Sequence, residues 1–89
     1  MSDKMNTPGY RIRELWVFVS IDADGDEGMC AFMSETGWMP MIAADMKRVD
    51  SLRPIAQAIC NESGSTVEVR HLTQIETVET ISPRKEKVN

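Results

Sequence analysis

The stretch Glu14 to Asp22, ELWVFVSID, does more than any other to limit what this chain can become. It alternates Leu15, Val17, Val19 and Ile21 on one face with Trp16, Phe18 and Ser20 on the other, and it is rich in β-branched and aromatic residues. That pattern predicts a strand. Both faces are apolar, so both need cover, yet the chain has only 89 residues, enough for one small domain with modest burial.

The turn formers Ala23-Asp24-Gly25-Asp26-Glu27-Gly28 follow, with Asp24-Gly25 as a strong hairpin signal, so Met29 to Glu35 is expected to return antiparallel. After Thr36-Gly37, Trp38 to Ala43 suits a third, shorter strand, which Pro40 confines to an edge or a bulge because it lacks an N–H. Asp45 can cap a helix in which Met46, Val49, Leu52, Ile55, Ala56 and Ile59 recur at three- and four-residue spacing. That stripe ends at Cys60 and is closed by Gly64. Pro54 interrupts it, which predicts either a kink or a later start at Asp50. Thr66 to Leu72 alternates as a strand packed on one face, whereas 73 to 81 suits a short capped helix or a strand equally well. The expected fold is α+β: a small antiparallel sheet of three or four strands in the order β-β-(β)-α-β, with one main helix on one face. Residues 1–12 read as a flexible N-terminal arm, 13–82 as the single domain and 83–89 as a basic C-terminal tail.

Charge is unevenly spread. Residues 14 to 82 carry twelve acidic and four basic side chains, a net of −8, while residues 1 to 13 and residues 83 to 89 each carry a net of +2. An acidic body repels phosphate backbones, so nucleic acid is an unfavourable partner. The longest apolar run, Leu15 to Val19, is far short of the roughly 20 residues of a spanning helix, and no signal peptide is expected. Cys30 and Cys60 match no zinc or dithiol spacing and favour a reduced, cytoplasmic setting, with a single disulfide left open.

Few residues suggest chemistry. Asp22, Asp24 and Asp26 alternate as in the first half of a calcium loop, but Glu27 stands where that loop needs glycine and Met33 where it needs glutamate. They remain weak metal candidates, and a solvated turn is the simpler reading. His71 is the one histidine, and no nucleophile elbow, HExxH, phosphate loop or dinucleotide fingerprint is present, so no catalytic residue and no cofactor is expected.

Methionine is the compositional outlier. There are 7, of which Met29, Met33, Met39, Met41 and Met46 fall close together beside Trp38, as core fillers or as an adaptable binding patch. If Leu15, Val17, Val19 and Ile21 meet the helix, then Trp16 and Phe18 point away and are joined from the neighbouring strand by Cys30 with Phe32 or by Met29 with Met33, leaving an apolar face that one helix cannot cover. Either the arms or a short C-terminal helix cover that face, or it pairs with another chain, and a homodimer is the expected answer. The expected contact residues are Trp16, Phe18, Phe32, Trp38, Met39 and Met41. Two alternatives are a single-strand nucleic-acid binder that stacks bases on the aromatic face, and a small metal-dependent or hydrolytic enzyme built on the aspartates or His71.

The segment Gly37 to Gln57, GWMPMIAADMKRVDSLRPIAQ, resembles segments of small phage and prophage proteins. The likeness covers about a quarter of the chain and contains no catalytic motif. It implies an accessory protein of the bacterial cytoplasm that acts by contact with a host or phage protein.

Overall fold

A computed structural model of the chain describes residues 11–84. Its organising element is β1 (Leu15–Ile21), the strand anticipated from alternation. One edge of β1 is paired along its whole length with β6 (Thr66–Leu72), antiparallel, from Leu15 opposite Leu72 to Ile21 opposite Thr66. The other edge is shared. β2 (Glu27–Met29) pairs with Val19 to Ile21, and the two-residue β5 (Ile42–Ala43) pairs with Trp16 and Val17.

Between β2 and β5 the chain leaves the sheet as a separate hairpin, β3 (Ala31–Ser34) and β4 (Gly37–Pro40). Each strand expected at 29–35 and 38–43 is therefore broken in two. The breaks fall at Cys30 and Met41, and Phe18 ties them together. The Phe18 N–H donates to the Met41 carbonyl at 3.1 Å, Cys30 N–H donates to the Phe18 carbonyl at 2.9 Å, and Met41 N–H donates to the Cys30 carbonyl at 2.9 Å. This closed set satisfies the backbone where three segments meet in the core. Pro40 sits on β4, whose only partner among the described residues is β3, consistent with the edge position its missing N–H requires.

Gly25 is the first of the turn positions where positive φ matters, at +88°, and it is the only residue of its turn with φ above zero. Asp24-Gly25 therefore does not form the two-residue turn that needs two such residues. Instead Gly25 N–H donates to the Asp22 carbonyl at 3.0 Å, and Asp22 N–H to the Asp26 carbonyl at 3.1 Å, giving a three-residue loop that ends in a left-handed glycine.

α1 (Met46–Ser63) is a single helix through Pro54. Asp45 caps it: its Oδ1 accepts from the Arg48 N–H at 2.8 Å. The N–H of Gly64, at φ +79°, donates to the Cys60 carbonyl, which ends the helix. An interior proline costs about 3 kcal/mol, but Val49, Leu52 and Ala56 are buried on both sides of it, and packing rather than propensity carries helices of this kind.

The helix packs on the face of the sheet that carries Phe18. Phe18, Cys30, Met41, Ala43, Val49, Leu52 and Ala56 form the core, with Trp16, Phe32, Ile55, Ile59 and Val67 packed against it. This corrects the expected orientation of β1: Trp16 and Phe18 face the helix, and Leu15, Val17, Val19 and Ile21 lie on the other side. Alternation sorts residues into two sets but does not say which set is inward when both are apolar. Here the larger ring fills the space beneath the helix. Residues 73–81, read as helix or strand, form neither, and 73–84 are all exposed, including Ile75, Val78 and Ile81. The N-terminal arm and the basic tail lie largely outside the described residues.

Candidate interaction site

The hairpin β3–β4 turns on Glu35 and Thr36, with Ser34 opposite Gly37. Ser34 Oγ donates to the Gly37 carbonyl at 2.8 Å and accepts from the Thr36 N–H at 3.2 Å, so the tip is held by its own hydroxyl. Strand alternation then gives the hairpin two unlike faces. Phe32, opposite Met39, turns toward the core and is half-buried. Met33 and Trp38 are paired across the other face, flanked by Ala31 opposite Pro40. Trp38 is 68% exposed and Met33 59%. Of this exposed cross-strand pair, tryptophan is among the residue types that carry most binding energy in protein contacts, and methionine is enriched at them.

A second surface is the sheet face away from the helix. Leu15, Val17, Ile21 and Ile42 are half-buried there, beside the exposed Met29 and Leu72. An ion cluster crosses it. Arg70 gives Nη1 and Nη2 to the two carboxylate oxygens of Glu27 at 2.9 and 3.0 Å, and its Nε to Glu68 at 2.9 Å. Arg70 stands opposite Val17 and Glu27 opposite Ile21, so the bridge runs diagonally over Val19, which is buried although it faces away from the helix. The bidentate bonds from Arg70, and then its charge, hold the Glu27 carboxyl below the ordinary carboxylate range, and both acids push the guanidinium up.

Of the six residues expected to form the contact surface, Trp38 and Met39 are exposed, on opposite faces of the hairpin. Phe18 and Met41, expected on the contact surface, lie instead in the core, each with no exposed area, because the sheet closes over them where the hairpin departs. Phe18 is thus no stacking platform. Phe32 packs against that core, and Trp16 lies half-buried with its ring stacked on His71, centroids 4.5 Å apart and planes within 1°. His71 Nε2 is 2.7 Å from Glu14 Oε1. The histidine thereby ties the start of β1 to the end of β6.

Asp22, Asp24 and Asp26 do converge, with carboxylate oxygens within 4.8 Å of one another, all exposed. Asp22 Oδ1 accepts the N–H groups of both Asp24 and Asp26 at 2.9 Å, so this carboxylate organises the turn. Cys30 and Cys60 are free thiols, the first buried, and burial pushes the Cys30 thiol up. No helix among the described residues is long and apolar enough to cross a membrane.

The Arg70 cluster had no sequence signal, since Glu27 lies 43 positions away. Only the alternation of Glu68 and Arg70 on one strand face hinted at a charged stripe. The fold and surfaces define a small α+β domain. Comparison with protein-family models, with curated proteins and with solved structures gave no match.

Proposed function

We propose that this chain is a small protein-interaction module of the bacterial cytoplasm, acting as a homodimer, which contacts a host or phage protein through the outer face of the β3–β4 hairpin. The observation that carries this reading is the Trp38–Met33 pair, held outward by a hairpin whose other face is anchored in the core through Phe32. Tryptophan brings large contact area with little side-chain freedom to lose, and methionine adapts to the partner's contour. The hairpin does not belong to the main sheet, so it presents this pair without exposing the core beneath. The likeness of Gly37 to Gln57 to phage and prophage segments covers β4 with Trp38 and supports a partner of host or phage origin.

The test is affinity capture from bacterial lysate treated with nuclease, run in parallel with the parent chain and with Trp38→Ala. The reading expects a protein retained at fixed stoichiometry by the parent and lost from the variant. A partner retained equally by both would refute the hairpin as the contact, and retention abolished by nuclease would turn the reading toward nucleic acid.

A further inference from the structure

We infer that two copies of the chain join along the outer edge of β6, antiparallel and centred on Val69, so that the sheet continues across a two-fold axis. This rests on the reading of the chain as a homodimer and names the surface that makes it one. β6 is seven residues long and, among the described residues, pairs with β1 alone. It has no proline, no lysine and no interruption of its ladder, and its two charged side chains, Glu68 and Arg70, are of opposite sign.

The direction of its backbone groups follows from β1. Phe18 spends its N–H on Met41 and its carbonyl on Cys30, both on the edge of β1 away from β6. Phe18 and Val69 are therefore a non-hydrogen-bonded pair of the β1–β6 ladder. It follows that Val67, Val69 and His71 point their N–H and carbonyl groups outward, to the open edge. In a pairing centred on Val69, Val69 exchanges two hydrogen bonds with Val69 of the second copy, and Val67 does the same with His71 of the second copy.

The side chains select this register. Centring on Val69 overlaps the whole of Thr66–Leu72 and sets Glu68 of each copy opposite Arg70 of the other, on one face. Centring one residue earlier or later would set glutamate against glutamate or arginine against arginine. On the opposite face Val69, 42% exposed, meets its own copy on the axis.

The experiment is light scattering on the eluting protein across a range of concentrations, with circular dichroism to follow folding. Val69→Pro removes an outward N–H and none that β1 uses, so the strand survives while the edge is blocked. The parent is expected at twice the chain mass and Val69→Pro as a folded monomer, its association weakened roughly thirtyfold or more. Glu68→Arg and Arg70→Glu should each be monomeric, because each sets like charges across the axis, and an equimolar mixture of the two should form a heterodimer. That restoration decides the matter even if the proline variant does not fold. A folded Val69→Pro that remains dimeric, or charge variants that fail to complement, would overturn the β6 contact while leaving the dimer standing. A parent that is monomeric throughout would overturn the homodimer itself.

Discussion

Replacing Phe18 by leucine tests whether β1 is oriented as described. Phe18 has no exposed area and sits where β1, Cys30 and Met41 share backbone hydrogen bonds, with Val49, Leu52 and Ala56 of the helix over it. The backbone around the site is fixed by those bonds, so it has little freedom to collapse onto a smaller side chain. Core phenylalanine-to-alanine changes cost about 3–5 kcal/mol and leucine-to-alanine changes about 2–5, which puts the phenylalanine-to-leucine step near 1–1.5 kcal/mol in a site that relaxes poorly. In a domain of this size that lowers the melting temperature by roughly 5–10 °C. Thermal melts by circular dichroism, at one protein concentration because self-association would shift the midpoint, read this directly. The control is Trp38→Leu, an exposed position that should move the midpoint by less than about 3 °C. Were Leu15, Val17, Val19 and Ile21 the inward set, Phe18→Leu would be an open-face change of the same small size. Equal shifts from the two variants would refute the described packing.

Acid stability should depend on Glu27. Its carboxyl is held below the ordinary value of 4.5 by Arg70, so the folded state gains from the ionised form above that pH and loses the gain as pH falls through the lower, folded-state value. The midpoint difference between parent and Glu27→Gln should therefore be constant from neutral pH down to about 4.5 and shrink below it; a difference that grows on acidification would contradict the bridge. Pro54→Ala should raise the melting temperature, by up to about 3 kcal/mol of helix propensity less the unfolded-chain entropy that proline removes, and a lowered midpoint would show that the proline has a packing role. Thiol reagents should modify Cys60 promptly and Cys30 only at the pace of opening, since Cys30 is buried and its thiol is pushed up. Equal rates in the native protein would contradict its place in the core.

The helix, its Asp45 cap and its Gly64 stop were legible because each is a local matter of periodicity and backbone chemistry. So were β1 and β6, the antiparallel return after the aspartate turn, and the edge position of Pro40. The division of two expected strands at Cys30 and Met41 was not legible, because it is decided by hydrogen bonds to Phe18 from residues far along the chain. The same contacts moved Phe18 and Met41 from the expected surface into the core. Residues 73–81 carry β-branched and capping signals in equal measure and meet no partner among the described residues, so neither signal prevails. The exposure of Trp38 followed from its hairpin: it is paired with Met33 on the outer face, where nothing among the described residues covers it.

The central claim is that this outer hairpin face is what the chain uses to hold another protein. The most direct test is calorimetric titration of the captured partner, as purified protein, with the parent chain and with Trp38→Ala at matched folding. A buried tryptophan anchor is worth about 2 kcal/mol or more, so the account predicts a dissociation constant at least roughly thirtyfold weaker for the variant. An unchanged constant would contradict it.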